Sequence, residues 1–83
     1  MTATIGLPRA AEAAIADAKS AMDAMSDATA KGLVHTFIDD AEMLLHSAKH
    51  DHEKLAAGKY DHARAIAKAA EGYAEAALIL AGK

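Results

Sequence analysis

The sequence predicts an all-α protein, an up-down-up antiparallel three-helix bundle forming a single domain over residues 1–83. Three observations carry that prediction. Alanine supplies 24 of the 83 residues, while Gly is 5, Pro is 1 and β-branched residues are sparse, a balance that favours helices and disfavours a sandwich or barrel. Gly6, Gly32 and Gly58 stand 26 residues apart. Counted forward from each glycine, apolar residues recur at offsets of +5, +9, +12 and +16, a helical 4-3-4 spacing. A 26-residue unit matches one helix of about 22 residues plus a short turn.

The first helix is expected over about 8–30, opening at Pro8, whose fixed φ suits a first helical turn. Gly32 would end it by taking the left-handed C-cap conformation. The second helix is expected over about 33–57. Its start is open to a second placement, because Thr36 with Asp39 has capping-box spacing and would leave His35 in the loop. Gly58 would end it, and the third helix would cover about 60–81. Loops this short make neighbouring helices antiparallel.

At 100° per residue, helix one buries Ala11, Ile15, Ala18, Met22 and Met25. Helix two buries Leu33, Val34, Phe37, Ala41, Leu44, Leu45, Ala48 and Leu55, with Ile38 and Ala56 at the margin. Helix three buries Ala63, Ile66, Ala67, Ala70, Tyr73, Ala74, Ala77 and Leu80. Its opposite face is Asp61, Arg64, Lys68, Glu71 and Glu75. Alanine faces allow close helix approach but bury little area each. The fourth side of the bundle is thus left for dimerisation or a partner helix.

Several function classes are excluded at this stage. The net charge is −3, which gives no basic footprint for nucleic acid. Cysteine is absent, so thiolate zinc sites, iron–sulfur clusters and Cys nucleophiles are excluded. No run approaches the roughly 20 apolar residues of a membrane span. Met1 to Ala10 lacks a charged segment followed by an apolar one, so no signal peptide is expected; the chain reads as cytoplasmic or as a mature periplasmic form. Catalysis finds little support. There is no Glu-x-x-His pair on two helices, no glycine-rich phosphate loop, and no serine with an evident base.

The histidines are the chemical signal. Four of the five lie between His35 and His52, and the fifth is His62. On the second helix, His35, Asp39, Glu42, His46, His50 and Glu53 form one stripe with steps of three or four, close enough at Cβ to share an ion. His46 and His50 are an i, i+4 imidazole pair, a spacing that helical metal sites use. Glu42 or Glu53 would add a carboxylate, and Met43 a weak thioether. Imidazole with carboxylate suits Cu(II), Ni(II) and Zn(II), with Cu(II) favoured. His52 and His62, flanking Gly58 near the core side, would face each other across the hairpin and hold an ion there. The alternatives are a solvated charged face for the stripe and two hydrogen-bonded neutral histidines for the second pair. Met22 and Met25 read as core filling, and Tyr60 and Tyr73 as packing residues with a wet hydroxyl.

Gly-ended, Ala-rich helices with scattered His, from His46 through His50, His52 and Gly58 to His62-Ala63, resemble the small metal-binding protein (SmbP) family over about residues 32–77. That resemblance implies a small helical bundle that binds divalent metals, notably copper, in the periplasm. It carries over His46, His50, His52 and His62 as candidate ligands. The chain departs from the family in three ways. Ala69 stands where the next His would fall, helix one has no His, and no leader is evident. These departures imply a smaller metal capacity. The phrase from Leu55 through Gly58 and Tyr60 to Ala63 is also similar to the turn of tetratricopeptide-like hairpins, which implies a helical interaction module instead. Two function classes follow: a divalent-metal buffer or scavenger without enzymatic activity, and a structural or protein–protein module.

Overall fold

The structure, a computed structural model, describes residues 6–82; the first half of the segment read for a leader lies outside them. Three helices follow one another: α1 (Leu7–Asp23), α2 (Ala28–Lys49) and α3 (Glu53–Ala81). All three pack on one another, with α3 between the other two and α1 touching α2 least. The all-α, three-helix reading holds. Among the described residues, no helix is long and apolar enough to cross a membrane.

The turns fall elsewhere than the glycines suggest. α1 ends at Asp23 rather than near residue 30, and α2 starts at Ala28 and ends at Lys49 rather than near 57. Gly32 and Gly58 lie inside α2 and α3, and no described residue has positive φ. The physical reason is that neither turn needs a left-handed residue. Ala24 and His50 cap their helices in the right-handed region, with their N–H groups bonded back into the last turn. The next helix then starts on a residue in extended conformation. At α2 this is Asp27, whose carboxylate accepts the Ala30 N–H at 2.7 Å. At α3 it is His52, followed by Glu53 in the first turn, where a carboxylate meets the positive end of the helix dipole. Thr36 does not cap. It sits inside α2 and donates to the Gly32 carbonyl at 3.0 Å.

Because Gly32 is helical, exposed, and has open space where a Cβ would stand, it limits helix stability without serving a turn. Gly32→Ala is expected to raise stability by about 0.5–1 kcal/mol. A C-cap role would give the opposite sign, and chemical denaturation distinguishes the two.

The core is built largely from alanine. Ala11, Ala18, Ala41, Ala63, Ala67, Ala70 and Ala74 are fully buried, and among the described residues Ile38 and Val34 are the largest side chains buried as completely. Ile15 and Ala18 of α1 meet Val34, Ile38 and Ala41 of α2 and Ala67, Ala70 and Ala74 of α3. A smaller cluster of Ala48, Ala56 and Tyr60 closes the end near the second turn. Met25 is buried, but from the first turn rather than from α1. Four expected core residues are exposed: Leu33, Leu55, Tyr73 and Leu80. Ile38, expected at the margin, is central. The apolar stripe of α2 is centred on Val34, Ile38, Ala41 and Ala48, which moves Leu33 to its edge. Leu55 lies in the first turn of α3 instead of the last turn of α2, so its facing is set by a different helix.

Candidate metal centre

α2 carries the histidine face. Its buried stripe turns His35, Asp39, Glu42 and His46 toward the outer, α1-side flank of the bundle, where the Lys19–Glu42 pair joins α1 to α2. His46 lies in the last helical turn and His50 is the C-cap, still in right-handed conformation, so the i, i+4 register survives to the helix end. Their rings meet edge to face with centroids 4.8 Å apart, and both side chains are exposed. The C-terminal end of a helix also carries partial negative charge, which favours a bound cation.

The remaining stripe residues have other engagements. His35 Nδ1 lies 3.2 Å from Asp39 Oδ2, a second i, i+4 pair about three turns toward the N-terminus. Glu42 accepts from the Lys19 ammonium at 2.6 Å. That hydrogen bond, reinforced by the Glu42 charge, raises the Lys19 pKa above its ordinary value. The pair therefore persists through neutral pH and, on the alkaline side, is lost as pH climbs through the raised Lys19 value. Asp39, Glu42, Met43 and His46 line a shallow open hollow of about 490 Å³. An ion held by His46 would thus have carboxylate and thioether groups nearby, with Glu42 first having to leave Lys19.

Three expected placements are corrected. Glu53 is not on the α2 stripe, because it opens α3. His50 ends the stripe, since the chain turns at Asp51, whose carboxylate takes the Lys59 ammonium at 2.6 Å. His52 and His62 do not face each other across a hairpin. Both belong to the α3 side of the turn, His52 as its N-cap and His62 ten residues on, and both are exposed. His62 instead borders the outer α2–α3 groove with Asp40, Met43 and Ser47. Among the described residues, no three His, Asp or Glu side chains come together as a group able to hold an ion. The His46–His50 pair is a two-donor arrangement.

Two features escaped the sequence reading. The Lys19–Glu42 pair joins different helices and so depends on their packing. Asp40 and His62 line the same α2–α3 groove, and that register follows from the turn at residues 50–52. The Asp27 cap at the other turn was the one local signal available in the sequence.

No family model matches the chain, and the comparisons with curated proteins and with solved structures likewise return no match.

Proposed function

We propose that this protein binds a divalent transition-metal ion, Cu(II) in preference to Ni(II) or Zn(II), through His46 and His50, as a small buffer or scavenger. One observation supports the reading above the rest: two exposed imidazoles on successive turns with ring centroids 4.8 Å apart. Small side-chain rotations bring one nitrogen of each ring onto a common ion, and the i, i+4 backbone holds the rest of the geometry in place. Water would fill the open positions, and Glu42 or Met43 is near enough to His46 to replace one of them. One ion per chain is the expected capacity. The SmbP resemblance points to the same chemistry with more sites. Here His52 and His62 are set apart from the pair, which favours the smaller capacity.

Copper also supplies a direct test. As a paramagnet it broadens nuclear resonances near it, so substoichiometric Cu(II) is expected to erase the His46 and His50 ring signals first. That of His35, about three turns away on α2, should fade last, while His52, two residues from His50, should broaden soon after the pair. Equal loss of all five would contradict a defined site.

A further inference from the structure

The exposed side of α3 has features that its own chain does not explain. The large exposed apolar side chains of the described residues are Leu33, Met43, Leu55, Tyr73, Ile79 and Leu80, all on α2 or α3 and none on α1. Two seven-residue series run up the outer face of α3, at positions 55, 62, 69 and 76 and at 58, 65, 72 and 79. Every member is exposed and none is Asp, Glu, Lys or Arg. Ile66 and Tyr73 flank the series on the α2 side, and Ile66 lines the apolar groove with Leu44 and Met43. The opposite flank is charged and alternates in sign: Lys54, Asp61, Lys68 and Glu75, again seven apart and all exposed. Gly58 and Gly72 sit in this face in helical conformation. A Cβ at either would meet nothing within 4 Å. Each weakens the helix by about 1 kcal/mol relative to alanine, and packing within the protomer requires neither.

We propose that α3 is a self-association helix, on which two copies of the chain dock antiparallel about a two-fold axis. A repeat of seven is the period at which two helices stay in register along a shared seam. Glycine and alanine in the seam let the two backbones approach closely, which supplies the role that Gly58 and Gly72 lack in the single chain. The charged edge selects both the occupant and its direction. In an antiparallel pair, like edges meet, so Lys54 lies beside Glu75 of the second copy and Asp61 beside its Lys68. The two-fold axis repeats both pairs, giving four opposite-sign contacts and no like-sign one. A parallel pair would set this charged edge against the apolar Ile66–Tyr73–Leu80 edge of the other copy, leaving charges without partners. The antiparallel arrangement also brings the two apolar edges together and covers Tyr73 and Leu80 between the α2 helices. This inference gives the interaction-module reading a definite partner, a second copy, and stands independently of metal binding.

Sedimentation equilibrium of the full chain, with a chelator present so that no metal bridges copies, tests it. The mass is expected to rise from 8.6 kDa toward twice that value as concentration increases. Gly72→Glu places a better helix former in open space. It should keep the helical circular dichroism of the dilute protein while returning the mass to that of a monomer. Lys68→Glu should weaken the dimer about tenfold, and Asp61→Lys with Lys68→Glu should restore it, because the pair is then re-formed with signs exchanged. A chain that stays monomeric throughout, leaving the face to a different protein's helix, would overturn the proposal. So would a dimer that Gly72→Glu leaves intact.

Discussion

Replacing Ile38 by alanine is expected to cost about 2–5 kcal/mol, a large share of the ~4–12 kcal/mol that a chain of this length usually has. Ile38 is 1% exposed and, with Val34, is one of the two largest fully buried side chains among the described residues. Its neighbours across the bundle include Ala67, Ala70 and Ala74, on a helix whose backbone is already close. Short side chains on a rigid helix cannot collapse into the space left, so the cavity term adds to the lost transfer energy. At about 4–8 °C per kcal/mol for a domain of this size, the midpoint of thermal unfolding should fall by more than about 8 °C. Leu33→Ala is the control, because Leu33 is 42% exposed. It should cost well under half as much. The reverse ranking would contradict the placement of the core.

The second large effect concerns the histidine pair. His46→Ala with His50→Ala is expected to abolish stoichiometric Cu(II) uptake while leaving the fold unchanged, since both side chains are exposed. Either single substitution removes one of two donors and should weaken binding by about tenfold or more, at least 1.4 kcal/mol. His35→Ala and His62→Ala, which lie outside the pair, should change affinity little. Copper affinity unchanged in the double variant, with unchanged circular dichroism, would assign the ion elsewhere.

Periodicity carried more of the fold than punctuation did. Of the twelve positions at those offsets from Gly6, Gly32 and Gly58, nine are buried (Ala11, Ile15, Ala18, Ala41, Ala48, Ala63, Ala67, Ala70 and Ala74), while Met22, Phe37 and Leu44 are half-buried. Those offsets depend only on helical pitch, and all three helices keep it. The same glycines misplace both turns. Alanine-rich helices can pass through an exposed glycine at modest cost, whereas an αR cap followed by Asp27 or His52 turns the chain without one. The site divides along the same line. His46 and His50 were legible as a pair because the helical register reaches both whichever end point is taken, His50 being the right-handed C-cap of α2. His52, His62 and Glu53 depended on where the second turn fell, and their placement changed with it. The Lys19 bond to Glu42 was beyond reach, because it requires the packing of α1 on α2.

The most direct test of the central claim is a calorimetric titration of the metal-stripped protein with Cu(II) at pH 7.5 and at pH 5.5. Imidazole must be neutral to ligate and ordinarily titrates near 6.5. The affinity should therefore fall by roughly tenfold to a hundredfold at the lower pH. One ion per chain at pH 7.5, weakened at pH 5.5 and lost in the His46/His50 double variant, is the result expected. Weak, non-saturating uptake at pH 7.5, or binding that the double variant retains, would reduce the pair to two surface histidines and contradict a metal-binding function.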